Sequence, residues 1–486
     1  MLNSNPLLIY QQLTTISHSI SLSLLATVGH VPYLALIPVI ILSVLHDQYN
    51  HIAYLQTTHE TEYDYVIVGA GSAGSVMAAR LSEDPYVTVL LLEAGGPETT
   101  LSDIPMNGVN LQTGPMDWSF RTLPQRRACK GMVGRQGVWP RGKAMGGSST
   151  INSMVYMRGN PRDYDLWAAA GARGWSWPEV FPYFVKSEDN RDPALVASGY
   201  HGRGGPLTVT TPSVPRVISQ AFASAGAPIG YPSGDPNGPR QSRFAIPQTT
   251  IRDGQRLSAA KAYLEPLAGR KNLHVLTKSY VTRVLFDGDK RAVGVEFDRM
   301  FKRYTVKARR EVIVSAGAIN SPKILMLSGD NEYGIGPAKH LKSLGIPVLS
   351  DRPVGDNLQE HYCTGMPFTV NESIGIDVLR EATPGHILEY FAYKNNSLTN
   401  NMVEGTAFVS TKYTLPGDDY PDVQFFMLTA TLANDYGLLI HHVQGIMPAV
   451  VSGNTNAPTI MMAEKCADHI RGRRLKPFRP PMTPHT

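Results

Sequence analysis

Cysteine is scarce in this chain. Only Cys129, Cys363 and Cys466 occur among 486 residues, and none of them forms a Cys-x-x-Cys pair. That spacing excludes a thiolate zinc centre, no metal site is expected, and at most one intrachain disulfide could form. Charge is sparse too. Asp, Glu, Lys and Arg make up 17% of the chain, and 45 basic against 40 acidic residues leave a net charge of only +5. The basic residues are scattered, apart from a short run, RGRRLKPFR, at Arg471–Arg479. A nucleic-acid interface would gather them on one face, so no nucleic-acid partner is expected. From Ile16 to His46 there is no Asp, Glu, Lys or Arg at all, and the first basic side chain is Arg80. The most apolar part of this stretch, YLALIPVIILSVL, runs from Tyr33 to Leu45. It reads as part of a secretory signal or a membrane anchor. The missing basic flank weakens the first reading; Pro32, Pro38 and His30 weaken the second, and a buried or frayed extension is the alternative. Residues 1–59 are accordingly expected to be a hydrophobic signal or anchor segment with its linker. The expected location is secreted or, alternatively, membrane-anchored through this segment. Asn371 and Asn395 lie in N-x-S sequons, which would matter only in a secreted protein.

What is abundant is glycine. The chain has 44 of them with 42% hydrophobic residues, a composition of globular α/β proteins rather than of disordered or fibrous ones. The length reads as two to three domains or one large two-lobed molecule. The stretch YDYVIVGAGSAGSVMAARLSEDPYVTVLLLEAGG, Tyr63–Gly96, carries a complete strand–helix–strand unit. Gly69, Gly71 and Gly74 form G-x-G-x-x-G between the first strand and the helix, and Glu93 stands 19 residues after Gly74, ending the second strand. In such a unit the first glycine makes the tight turn, the second lets the backbone approach a pyrophosphate, and the third lets helix and strand pack closely. Ser72 and Ala73 open the helix, whose free N–H groups and partial positive charge suit phosphate. Glu93 is placed to accept hydrogen bonds from ribose hydroxyls. This unit alone leaves NAD and FAD both open.

A second glycine cluster decides between them. WPRGKAMGGSSTINSMVYMRGNPRDYDLW, Trp139–Trp167, packs Gly142, Gly146 and Gly147 among small polar residues, so its backbone can lie flat against a ring system. With GKAMGGSSTINSMVY, GAINSPKILMLSG (Gly317–Gly329), VGDNLQEH (Val354–His361) and SGNTNAP (Ser452–Pro458) in order, the chain resembles the glucose–methanol–choline (GMC) family of FAD-dependent oxidoreductases. The wording of the blocks is most like the insect glucose-dehydrogenase branch. The likeness runs from about Tyr63 to Ile470, with Met145 where leucine is usual and an extra Asp330–Tyr333 in LSGDNEYGIGP.

The resemblance implies a discontinuous, Rossmann-like α/β FAD-binding domain over 60–165, 273–362 and 445–472. A truncated α+β substrate domain with an antiparallel sheet would occupy 166–272 and 363–444, and a basic, Pro-rich tail 473–486. Gly69, Gly71, Ser72, Ala73, Gly74 and Glu93 would hold the ADP half of FAD. Gly146, Gly147, Ser148, Ser149 and Asn152 would border the flavin and ribityl chain, and Val281 would meet adenine through its backbone. Some relatives tether FAD through a histidine just before the asparagine; here that position is Ile151, so FAD is expected to be non-covalent. Trp118, in MDWSF, suits either a core or a flavin-edge role.

The implied chemistry is hydride transfer from an alcohol carbon to flavin N5, with a quinone or oxygen as the final acceptor and a base to take the alcohol proton. At the end of the chain, Asn454 and Asn456 flank Thr455 where a last helix should begin, and polar groups there can cap the helix or face a ligand. The resemblance makes Asn454 the partner of the alcohol oxygen. The usual catalytic histidine is not found: Phe408–Tyr413, where counting back from Asn454 places it, contains none. His441 and His442 are the candidates left. The apolar run Pro421–Leu432 reads as a substrate-domain strand, yet SGNTNAP follows much sooner than in relatives. This implies an internal deletion joined near Val443–Gly445 and leaves, as the alternative function, a non-catalytic FAD-binding pseudoenzyme or truncated isoform.

Overall fold

The computed structural model describes residues 33–212, 216–328, 333–361, 383–415, 417–429 and 449–478, and in addition 363, 365, 366, 368, 374–376 and 381. His441, His442, the expected joint at Val443–Gly445 and the Asn371 sequon lie outside the described residues.

The described chain opens with helix α1 (Tyr33–Ile52), strand β1 (Glu62–Val68), helix α2 (Ser72–Leu81) and strand β2 (Val89–Leu92). A short antiparallel pair follows, β3 (Phe120–Arg121) with β4 (Val138–Trp139). Helix α3 (Trp177–Ser187), helix α4 (Val217–Ser224) and strand β5 (Phe244–Ala245) come next. Four strands then run close together: β6 (Leu273–Leu276), β7 (Ser279–Phe286), β8 (Ala292–Arg299) and β9 (Lys302–Val314). Helix α5 (Gly317–Met326), helix α6 (Pro384–Tyr393), strands β10 (Val403–Val409) and β11 (Val423–Leu428) and helix α7 (Asn456–Ile470) complete the set used below.

The central sheet has six strands in the order β6-β2-β1-β9-β8-β7. The first four are mutually parallel, and the last two turn back antiparallel. The sequence explains the parallel half. In β1 every residue but Glu62 is buried, and in β2, VLLL, all four are. Strands covered on both faces read as continuous apolar runs. One face packs on α2, α3 and α7 through Ile67, Leu91, Val76, Phe184, Ile460 and Met461. The other carries Val66, Val68, Leu92, Val295, Phe297 and Ile324. The protein is thus mixed α/β, as the strand–helix–strand reading requires.

Helix α7 is wedged between α2 and α3 and is fastened by charge. Glu464, fully buried, accepts from Arg80 Nε and Nη2 at 2.8 and 2.7 Å and from the Tyr263 hydroxyl at 3.0 Å. Lys186 Nζ of α3 lies 3.0 Å from the same carboxylate. Trp175 and Trp177 pack at the entrance of α3. All three cysteines are unpaired.

The apolar N-terminal stretch forms α1, and no helix among the described residues is long and apolar enough to cross a membrane. Its last turns are tied to the body of the protein. His51 is buried between Asp103 and Glu265, with both ring nitrogens 3.0 Å from a carboxylate oxygen. Lys394 Nζ lies 2.8 Å from Asp47, and Gln48 donates to the Thr100 hydroxyl at 2.6 Å. Ligand atoms of His51, Glu98 and Glu265 lie within 4.8 Å of one another. Cationic groups already balance these acids, because Lys261 Nζ is 2.5 Å from Asp103 and His51 is shared by two carboxylates. Both His51 nitrogens are therefore committed to protons rather than free to hold a cation.

A second, smaller sheet, β11-β10-β5, is antiparallel, and α4 packs on it. Strand β10 ends on Phe408 and Val409, at the start of the stretch where counting back from Asn454 calls for a histidine and none occurs.

Candidate functional site

The groove lies at the C-terminal ends of the parallel strands, where open α/β sheets bind their ligands. It encloses about 470 Å³. Gly69 follows β1 with φ +96°, a left-handed turn that brings the chain into α2. A Cβ on Gly74 would stand 1.8 Å from the Gly69 carbonyl oxygen, so only glycine lets α2 come this close to the turn. Gly71 precedes α2, whose first-turn N–H groups, at Ser72 and Ala73, open on the groove.

The second glycine cluster meets the first directly. Gly146 N donates to the Ala70 carbonyl at 2.9 Å. Gly147 has φ +55°, and a Cβ there would fall 2.7 Å from Gly71 Cα. Two backbones in contact leave a channel floor with no side chains in it. Gly69, Gly71, Ser72, Ala73, Glu93, Gly147, Ser148 and Val281 line the groove, and Gly74 supports it from behind.

Gly146, Ser149 and Asn152 are placed differently. They do not line this cavity, and their polar groups are used by the protein. Ser149 Oγ donates to the Gly146 carbonyl at 2.6 Å and accepts from Ala259 N at 2.9 Å. Asn152 Oδ1 accepts from Met154 N and Arg256 Nη1, both at 3.0 Å. Arg256 also donates to the Asn152 and Ser149 carbonyls, at 2.6 and 3.2 Å, holding the loop from beneath. Nothing in the sequence marked Arg256, because a lone arginine reads as surface.

Glu93 is buried at the end of β2. Its two carboxylate oxygens accept from Ala70 N at 2.8 Å and Gly95 N at 2.7 Å. Burial pushes its carboxyl up to about 7, against the pull of those two hydrogen bonds and of Lys143. It is held at the groove wall in a fixed orientation.

The turn before α7 divides its asparagines between two tasks. Asn456 Oδ1 accepts from Ser72 Oγ at 2.6 Å and so ties the start of α7 to the start of α2. Thr455 and Thr459 complete the groove wall. Neither asparagine side chain caps the helix, since Thr455 stands at the cap position and makes no side-chain capping bond. Asn454 Oδ1 is buried and has no hydrogen-bond partner among the described residues. His361 is joined to the same turn. Its Nε2–H donates to the Val451 carbonyl at 2.9 Å, and burial holds its pKa below the ordinary imidazole value.

Residues 63–363 match the family model described as GMC oxidoreductase, well over half of the chain. The chain belongs to the GMC oxidoreductase family. Among its curated relatives, glucose dehydrogenase (FAD, quinone) of Drosophila pseudoobscura pseudoobscura is 39% identical over 369 residues, 75% of this chain and 57% of that protein. The oxygen-dependent choline dehydrogenase of Brucella ovis is 40% identical over 387 residues, 77% of this chain and 66% of that protein. The match therefore spans 57% to 66% of the length of these GMC relatives. Among solved structures, an FAD-dependent oxidoreductase from Chaetomium thermophilum superposes with a TM-score of 0.61 at 31% identity, covering 72% of this chain and 62% of that one. Pyridoxine 4-oxidase from Mesorbium loti gives 0.59 at 29%, covering 87% and 84%.

Proposed function

We propose that this chain binds FAD non-covalently in the groove and acts as an FAD-dependent oxidoreductase on CH–OH donors. The cofactor residues would be those named from the sequence that line the groove, with Gly74, Gly146, Ser149 and Asn152 shaping it from behind, in a domain made of 60–165, 273–362 and 445–472. The groove fits an extended dinucleotide: a glycine floor for the diphosphate, helix N–H groups beside it, and a buried carboxylate at the end of β2. Ile151, where a tethering histidine would stand, has no nucleophile, which supports non-covalent binding.

Bound FAD would supply a two-electron acceptor for hydride. The protein's own part is to hold the alcohol. The observation that carries this reading is the Asn454 carboxamide oxygen, buried without a partner among the described residues. A buried acceptor left unpaired costs about 1–3 kcal/mol, and an alcohol O–H would satisfy it. By the names of its relatives, the substrate is a small-molecule alcohol and the electron acceptor a quinone or oxygen. Secretion, or anchoring to a membrane through the apolar N-terminal segment, belongs to the same proposal.

A second reading, FAD binding without turnover, is favoured by the absence of histidine from Phe408–Tyr413. The visible absorbance spectrum of the purified chain, followed by anaerobic addition of a panel of alcohols, separates the two. Flavin bands that bleach with one alcohol establish the oxidoreductase. Bands that persist with every alcohol leave a flavin-binding protein. A folded chain with no flavin bands, and no uptake of added FAD, overturns both.

A further inference from the structure

The hairpin arm that joins β3 to β4 carries a concentration of like charge that the function of the groove does not use. From Trp118 to Pro161 the chain has no Asp or Glu. Arg121, Arg126, Arg127, Lys130 and Arg135 all lie on the arm, and all are exposed. None of them makes an ion pair among the described residues, whereas Arg303 and Arg309 of β9 lie 2.9 and 3.1 Å from Asp298 and Asp64. Like charges gathered in this way repel one another, and on the arm no carboxylate offsets the repulsion. Large apolar side chains stand among the charges. Leu123 is 81% exposed and Val133 91% exposed.

The arm is held in shape by its own backbone. Phe120 and Arg121 pair with Trp139 and Val138. Thr122 N donates to the Gly137 carbonyl at 3.0 Å, and Gln125 N to the Arg135 carbonyl at 2.8 Å. Gln136 Nε2 donates to the Thr122 carbonyl at 2.9 Å. Cys129, Gly134 and Arg135 take φ of +53°, +65° and +54° and turn the tip back on itself. At the root, Trp118, half-buried, and Phe120 lie in the groove wall. The cations and the two apolar side chains are therefore displayed on a folded hairpin rooted in the body of the protein.

We propose that this arm docks the protein on an anionic phospholipid surface. Its Arg and Lys side chains would meet the headgroup phosphates, and Leu123 and Val133 would enter the boundary between headgroups and acyl chains. Each half of the arm's chemistry answers one layer of such a surface: basic groups gain from the negative surface potential, and apolar groups gain from leaving water. A nucleic acid would use the charges but leave Leu123 and Val133 in water, and residues 122–137 include no aromatic side chain on which a base could stack. The docking depends neither on what the groove holds nor on the apolar N-terminal segment.

The test is cosedimentation of the full chain with vesicles of phosphatidylcholine alone and of equimolar phosphatidylcholine and phosphatidylserine. Binding should favour the anionic vesicles and weaken as salt is raised. The triple variant Arg126→Gln, Arg127→Gln, Lys130→Gln should bind them roughly a hundred-fold more weakly, since each basic side chain at such a surface is worth about five-fold. The double variant Leu123→Ser, Val133→Ser should bind several-fold more weakly and keep its salt dependence. All five side chains are exposed, so thermal melts should match those of the native chain. Equal binding of the native chain and the triple variant to anionic vesicles would overturn the proposal, whether the N-terminal segment or nothing holds them there. So would equal binding of the native chain to the two kinds of vesicle. A loss in the triple variant with none in the double variant would overturn the lipid assignment in favour of a soluble polyanion or an acidic protein.

Discussion

Gly147 and Gly71 face each other across the groove floor with no room for a carbon between them. Replacing Gly147 by alanine would drive a Cβ to 2.7 Å from Gly71 Cα and place an L-residue at φ +55°. Both faults are in backbone, so no side-chain rotation relieves them. The expected cost is about 1–3 kcal/mol of stability with loss of the cofactor, read as a lowered melting temperature and absent flavin absorbance in Gly147→Ala. The turn itself was legible in the sequence because its demands are local: Gly69, Gly74 and Glu93 meet within one strand–helix–strand unit. The contact of Gly71 with Gly147 was not, since each cluster could be read but their meeting depends on the whole sheet. Arg256 and Asn456 escaped for the same reason. Their partners, Asn152 and Ser72, are remote in sequence, and an isolated polar residue carries no pattern.

Helices α1 and α7 are both held by buried charge, and apolar periodicity says nothing of it. The run from Tyr33 to Leu45 announced an apolar segment, yet the ion cluster that seats α1 joins residues 51, 103 and 265. Burial opposes the charged form of His51, but the hydrogen bonds to Asp103 and Glu265 win and raise its pKa to about 10 from 6.5. A base with a raised folded-state pKa stabilises most below its unfolded value and loses that contribution as pH climbs through the folded one. Stability from this contact is therefore full below pH 6.5 and fades towards pH 10. Melting temperatures across that window should fall in the native chain, and His51→Gln should be less stable at neutral pH and lack this component of the slope. For α7, Glu464→Ala would leave Arg80 and Lys186 without their shared carboxylate. Breaking a buried ion pair costs about 3–5 kcal/mol, so denaturant midpoints should drop sharply, whereas changing the exposed Glu83 should do far less.

At the scale of the molecule, the two sheets differ in how they are closed. The central sheet is covered on both faces. In the small sheet, β11 pairs with β10 on one side and with no strand among the described residues on the other. Phe425, Phe426 and Leu428 on it are 43%, 42% and 40% exposed. The chain also matches only 57% to 66% of its curated relatives' length. A free strand edge carrying aromatic side chains is a template for association. Phe426→Lys should reduce concentration-dependent light scattering without changing the melting temperature by more than a degree or two; an unaltered scattering curve would mean the edge is already covered. The α/β layering of the central sheet could be anticipated from its uninterrupted apolar strands. The antiparallel small sheet was expected only through the family resemblance, with Pro421–Leu432 as one strand; its other strands were not legible, because β5 is two residues long and β10 has no alternation to declare a face.

The groove's last wall arrives late in synthesis. Thr455 and Thr459 stand at the start of α7, while the glycine turn they face was made nearly four hundred residues earlier. During translation the turn, the strand bearing Glu93 and the second glycine cluster can settle long before α7 leaves the ribosome. The nascent protein therefore carries an open-sided trough, with α2 and α3 missing the helix that lies between them. A dinucleotide captured at that stage would be held on one side only. Firm capture waits for α7, and any ribosome that stalls or terminates before it releases a chain with a nucleotide motif and no grip.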